Sequence, residues 1–169
     1  MRKLIYTISP PGGGKSTWAK EYIKDHPRTL RVNRDDLRFM LMNSPVVPNH
    51  IEVLITELQT FLITKAFSMG YDVLLDTTNI RLRDINATKK GLPENTIYEA
   101  KVFDLPLETL LEREKIRDKP VGEDVVKRMY EDFQTLKRMN KCKSCDGKGK
   151  ETSCNDCTNT GIDIGIKFI

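Results

Sequence analysis

From residue 3 to residue 139 the chain switches repeatedly between two hydrophobic periods. Lys3-Leu4-Ile5-Tyr6-Thr7-Ile8 is apolar on both faces and predicts a buried strand. Trp18 to Lys24 predicts a helix, with Ser16 and Thr17 near its start. Thr29 to Val32 is a second short strand and Asp36 to Met42 a helix, followed by a loop at Ser44-Pro45 and Pro48. Residues 49–69 carry the longest helical pattern, with Ile51, Leu54, Ile55, Leu58 and Leu62 on one face, and Gly70 stops it. Val73-Leu74-Leu75-Asp76 predicts a third strand, 82–90 a helix, and Gly91-Leu92-Pro93 a turn. Ile97 to Phe103 predicts a fourth strand, and Leu107 to Arg117 and Asp124 to Met139 two more helices.

Alternation of this kind predicts an α/β fold, a central parallel sheet of four or five strands with helices on both faces. The chain has 169 residues, 38% hydrophobic and 31% charged, a composition that suits a soluble globular protein. Apolar runs such as Val73-Leu74-Leu75 fall far short of the roughly 20 residues a membrane helix needs. The short apolar stretch at 1–8 runs into Pro10 and glycines, unlike a secretory signal, so the expected location is the cytoplasm.

Charge and cysteine then divide the chain. Residues 1–136 hold 21 Lys/Arg against 20 Asp/Glu, and residues 137–169 hold 7 against 4 together with all four cysteines. The expected organisation is a body over 1–139 and a small module over 140–169.

The first strand leads into Ser9-Pro10-Pro11-Gly12-Gly13-Gly14-Lys15-Ser16-Thr17. This fits the phosphate-binding loop pattern GxxxxGK[ST] except that Ser9 replaces the first glycine. A strand, a tight glycine loop and a helix N-terminus together surround phosphates with backbone N–H groups. Gly12, Gly13, Gly14, Lys15, Ser16 and Thr17 are therefore the candidate nucleotide site. Lys15 would reach the β- and γ-phosphates, and the Ser16 hydroxyl would ligate Mg²⁺. The plain alternative is a glycine-rich turn.

Val32-Asn33-Arg34-Asp35-Asp36-Leu37-Arg38 ends the second strand. In an open parallel sheet the ligand crevice lies at the carboxyl ends of the strands, which brings Asp35 to the same crevice as Lys15. A carboxylate there suits a general base on an acceptor hydroxyl. Arg38, three residues on, suits a bidentate grip on an anionic group of the acceptor. The alternative role for Asp35 is a helix N-cap.

These motifs, followed by Asp76-Thr77-Thr78-Asn79, Val102-Phe103-Asp104-Leu105-Pro106, Arg113 with Arg117, and Asp124-Val125-Val126-Lys127-Arg128-Met129-Tyr130, resemble in order and spacing the kinase domain of bacteriophage polynucleotide 5′-hydroxyl kinases. The resemblance covers roughly residues 1–135. It implies a P-loop kinase fold and transfer of the γ-phosphate of ATP, with Mg²⁺, to the 5′-hydroxyl of DNA or RNA. On the matching positions it implies that Lys15 and Ser16 bind the donor, Asp35 is the base and Arg38 grips the acceptor's 3′-phosphate. It also implies that Asp76 organises the site and that Arg117, with Arg113 as a second candidate, meets the donor phosphates from a lid. A phage-encoded enzyme of this kind would act in the host cytoplasm. The Asp-x-Asp-x-Thr motif of the 3′-phosphatase domain that often accompanies such kinases is absent, so the resemblance is to the kinase half alone. A kinase of a nucleoside, nucleotide or other small molecule on the same fold stays open. So does a zinc-anchored nucleic-acid-binding protein with a relict nucleotide site.

The tail reads Cys142-x-x-Cys145 and Cys154-x-x-Cys157, with eight residues between the pairs. Four thiolates at this spacing can surround one structural Zn²⁺. The first pair, with Gly147 and Gly149, resembles half of the cysteine-rich zinc domain of J-domain co-chaperones, and implies a zinc hairpin without a chaperone role. Ile162 to Ile169 alternates apolar and polar residues, a strand that either pairs within the module or docks on the body.

Overall fold

The computed structural model describes residues 1–148, 155, 160 and 162–169. Its elements in chain order are β1 (Lys3–Ile8), α1 (Lys15–Asp25), β2 (Thr29–Val32), α2 (Arg34–Met42), α3 (Asn49–Ser68), β3 (Asp72–Leu75), α4 (Leu82–Lys89), β4 (Ile97–Val102), α5 (Leu107–Lys115), α6 (Glu123–Met139) and β5 (Lys167–Phe168). The strands form one parallel sheet in the order β2-β3-β1-β4-β5. Parallel neighbours need crossovers, and the helices supply them.

β1 is central, and its two faces feed two cores, as its apolar composition requires. Leu4, Tyr6 and Ile8 join Ile63, Ala66 and Phe67 of α3, Ile85 of α4, and Phe133 and Leu136 of α6. Ile5 faces the other way, with Leu74 and Ala19, and Trp18 and Tyr22 of α1 close over them. The carboxyl ends of β1, β2 and β3 therefore open onto one edge.

Three expectations are corrected here. α1 begins at Lys15 rather than Trp18, because the phosphate loop hands directly into the helix. α2 begins at Arg34, capped by Asn33, whose side chain accepts the Asp36 N–H at 2.9 Å, so Asp35 lies in the first turn and is not the cap. On α3 the buried stripe is Ile55, Gln59, Ile63, Ala66 and Phe67, while Leu54 and Leu62 are exposed. α3 carries apolar residues on more than one face, with Val53, Leu54, Phe61 and Leu62 exposed, so periodicity alone picked the wrong stripe. The short Met69–Tyr71 link to β3, where Tyr71 N–H bonds back to Ala66 at 2.9 Å, fixes its rotation instead.

The alternating tail docks on the body. Lys141 bridges Ile162, and Asp163 N–H donates to Asn140 O at 2.7 Å. Ile162, Ile164, Ile166 and Phe168 are buried in the same core as α3 and α6. β5 adds to β4 as the fifth strand, Ala100 opposite Phe168. No helix among the described residues is long and apolar enough to cross a membrane.

Candidate active site

The phosphate loop is held from beneath. Ser9 N–H donates to Thr78 O at 3.1 Å, Thr7 Oγ1 to Thr77 O at 2.9 Å, and the buried Asn79 amide to Thr7 O at 2.9 Å. These bonds tie the ends of β1 and β3 together. Ser9 is fully buried, and a Cβ on Gly13 would stand 1.9 Å from its Oγ. The departure from the first glycine of the motif is thus accommodated by a glycine four residues later. Lys15 lies on the first turn of α1, buried, with Nζ donating to Pro10 O at 2.8 Å. Burial lowers its pKa from 10.5 to about 8, against the opposing pull of the Asp76 charge.

Asp76 follows β3 and is almost fully buried. Its Oδ1 accepts from Ser16 Oγ at 3.2 Å, and its Oδ2 from Arg31 Nε at 2.8 Å and Asn33 Nδ2 at 3.0 Å. Arg31 also reaches Asp36 at 2.5 Å. A hydroxyl beside a buried carboxylate is a pair of hard oxygen donors, the set that Mg²⁺ takes alongside waters and substrate phosphates.

Asp35 and Arg38 share one face of α2, their side chains 2.6 Å apart. Asp35 remains more than half exposed, open to the cavity. Arg38 is also held by Glu52 of α3, through Nε at 2.6 Å and Nη2 at 3.1 Å. Arg34 joins the same carboxylate at 2.7 Å. Hydrogen bonding from Arg38 lowers the pKa of Glu52, with burial opposing. For Arg38, burial works against the charge, but Glu52 and Asp35 outweigh it and its pKa is raised.

On the opposite wall, Arg113 Nη1 donates to Gly12 O at 3.1 Å. Arg117 stands just beyond α5, 3.6 Å from Glu114 Oε2, and neither atom of that pair has a hydrogen-bond partner among the described residues. The buried Glu114 turns its Oε1 to the Val121 N–H and, at 2.8 Å, to the Gly122 N–H. The segment between α5 and α6 is thereby folded over the site, and Lys119 in it lies 3.5 Å from the centre of the Phe39 ring on α2.

All of these groups border one open cavity of about 1230 Å³. It runs from Arg113 and Arg117, past Lys15, Ser16 and Asp76, to Asp35, Arg38 and Glu52, and on between α3 and α4. The structure therefore brings Gly12, Gly14, Lys15, Ser16, Thr17, Asp35, Arg38, Asp76, Arg113 and Arg117 to one cavity, with Gly13 in the loop packed against Ser9. The residues that sequence reasoning passed over are Arg31, Glu52, Gln59 and Glu114, and Asn33 stood in a motif without a role of its own.

Cys142 and Cys145 lie outside this cavity, buried together beyond α6. Gly147 N–H donates to Cys142 O at 3.2 Å and Lys148 N–H to Cys145 O at 2.9 Å, a tight knuckle turn. A Cβ on Gly147 would stand 3.1 Å from Lys141, and its φ is +79°. Cys154 and Cys157 lie outside the described residues. Among the described residues no three His, Cys, Asp or Glu side chains converge as a metal site.

The fold is the α/β P-loop kinase fold, with the phosphate loop opening onto the cavity. A family model described as AAA domain (AAA_33) matches residues 4–136, and the chain belongs to that family. It is 30% identical over 141 residues to the L-seryl-tRNA(Sec) kinase of Methanococcus maripaludis, across 78% of this chain and 52% of that protein. A chain of the Pnkp1/Rnl/Hen1 RNA repair complex superposes with a TM-score of 0.72 at 29% identity, covering 82% of this chain and 46% of that one. A fungal RNA kinase shares the fold, with a TM-score of 0.54 at 18% identity over 79% of this chain and 33% of that one. This chain thus spans about half the length of its curated relative, and less than half of these structural neighbours.

Proposed function

We propose that the protein transfers the γ-phosphate of ATP to the 5′-hydroxyl of a nucleic acid. The observation that carries this reading is the acceptor wall. Asp35 stands open at the cavity beside Arg38, and Glu52 anchors Arg38 and Arg34 together, so that two fixed guanidinium groups border the place an anionic acceptor group would take. The likeness to a chain of an RNA repair complex supports the same substrate class.

In this reading the phosphate loop and Lys15 hold the donor phosphates, with Thr17 on the first turn of α1. Ser16 and Asp76 would hold Mg²⁺, which neutralises the phosphate oxygens when bound. Asp35 accepts the proton of the acceptor hydroxyl. Arg38 orients the acceptor through its 3′-phosphate. Arg117, and Arg113 from its seat on Gly12 O, bring positive charge to the transferring group. Catalysis of this type is positioning and charge stabilisation, and needs no covalent nucleophile.

The test is an acceptor panel with γ-labelled ATP: 5′-hydroxyl DNA and RNA oligonucleotides, free nucleosides, and L-seryl-tRNA(Sec), the last prompted by the relative of that name. Label on the oligonucleotides is the expected result. Label on nucleosides or seryl-tRNA alone would replace this reading with a kinase of another hydroxyl acceptor.

For the tail, the buried Cys142–Cys145 knuckle supports a structural zinc site completed by Cys154 and Cys157. Such a site would close the segment that joins α6 to β5. Native mass spectrometry should find one Zn²⁺ per chain, and chelation should lower the melting temperature. Metal-free protein of unchanged stability would exclude it.

A further inference from the structure

The cavity extends beyond Arg38 into a cleft between α3 and α4, and Gln59 lies in its wall. This side chain is 94% buried, since only 6% remains exposed, and its Oε1 has no hydrogen-bond partner among the described residues. Its polar neighbours on the helix are satisfied. Thr56 Oγ1 donates to Glu52 O at 2.9 Å and accepts from Arg34 at 3.0 Å, and Thr60 Oγ1 donates to Thr56 O at 2.9 Å. Gln59 also interrupts an otherwise apolar stripe, four residues from Ile55 and from Ile63, where a leucine would pack at no polar cost. A buried amide left unpaired in a cavity wall calls for a ligand that pairs it.

Resting on the acceptor role given to this wall, we propose that Gln59 floors a nucleobase subsite for the 5′-terminal nucleotide of the acceptor. A carboxamide offers a donor and an acceptor side by side. Each nucleobase presents a neighbouring donor and acceptor on its Watson–Crick edge, so rotation of the amide lets one residue meet any of them. The subsite therefore demands a base without selecting one. Gln59 lies seven residues beyond Glu52 on α3, roughly 10 Å along the helix axis. One nucleotide bridges that distance, with its phosphate at Arg38 and its base at Gln59. Ala87 and Thr88 of α4 form the facing wall. The donor-binding groups lie at the other end of the cavity, so ATP does not compete for the amide.

The experiment compares wild type with Gln59→Leu on two acceptors, an ordinary 5′-hydroxyl oligonucleotide and one whose 5′-terminal nucleotide is abasic. The variant should raise the KM for the ordinary acceptor about tenfold, leave the KM for ATP unchanged, and melt no lower than wild type. On the abasic acceptor the two proteins should be equal. A variant that loses equally on both acceptors, or on neither, overturns the subsite. Should the variant fail to fold, wild type alone decides: equal KM values for ordinary and abasic acceptors overturn the proposal. If wild type labels both acceptors but discriminates neither, the kinase reading stands and the subsite falls. If it labels no oligonucleotide, both fall.

Discussion

The two walls of the cavity, in the function proposed for them, would bind anions by different means. The donor wall is built around backbone, a glycine loop and a helix N-terminus, on which Lys15 folds to Pro10 O and Arg113 to Gly12 O. The acceptor wall is made of side chains, with Arg34 and Arg38 of α2 locked to Glu52 of α3 and Arg38 also to Asp35. Backbone recognition depends on local conformation and leaves a contiguous motif. Side-chain recognition depends on pairs brought together by the fold, and such pairs leave little local trace.

The largest expected effect breaks the acceptor wall alone. Asp35→Ala should lower kcat by about 10²–10⁴, the usual worth of a general base, while nucleotide affinity holds. Single-turnover labelling beside a nucleotide-binding titration reads both quantities. Loss of nucleotide binding would show that the walls are not separable.

The donor wall breaks differently. Gly13→Ala drives a methyl into Ser9 and should weaken nucleotide binding about 100-fold or more. Ser9→Gly in the same chain should restore part of that loss, because it removes the atoms at 1.9 and 2.8 Å and leaves Pro10 O at 3.2 Å. Strict additivity in this double-mutant cycle would contradict a shared volume.

A smaller effect belongs to Glu52. Glu52→Ala frees Arg34 and Arg38 from their common anchor and should raise the acceptor KM about tenfold, with the KM for ATP unmoved. Equal changes in both would blur the comparison of the walls.

These differences follow what was legible beforehand. Lys15, Ser16 and the glycines were readable because a phosphate loop writes itself in consecutive residues. The order of strands and helices was readable from the change of hydrophobic period. Arg31 was not, because its partner Asp76 lies 45 residues away. A signal was present even so, since a partly buried charge inside a four-residue strand needs a partner. Nothing in the neighbouring sequence marks Glu52 or Glu114, and only the fold shows the first between two arginines and the second bonded to the segment between α5 and α6. Gln59 was hidden by the choice of stripe on α3. Once Ile55 and Ile63 are seen to face inward, the glutamine between them stands out. Asp35 lines the same cavity as Lys15, while the capping role belongs to Asn33.

The smallest effect is a proton. Between about pH 8 and 10.5 the folded protein holds Lys15 neutral while the unfolded chain keeps it charged. The unfolded state then binds more protons, so the stability of the ligand-free protein should rise with pH across that window and lose this slope below it. Donor phosphates favour the charged form, so nucleotide binding at pH 8–9 should take up part of a proton. Calorimetry in buffers of different ionisation enthalpy measures it, and proton release would contradict the burial of Lys15.

The central claim is that the side-chain wall receives a nucleic-acid 5′-hydroxyl and Asp35 takes its proton. The most direct measurement is ATP turnover with matched oligonucleotides bearing either a 5′-hydroxyl or a 5′-phosphate, in wild type and Asp35→Ala. The account predicts turnover in wild type with the 5′-hydroxyl strand, none with the 5′-phosphate strand, and loss of the difference in the variant. Equal turnover with both strands, or a variant as active as wild type, would contradict it.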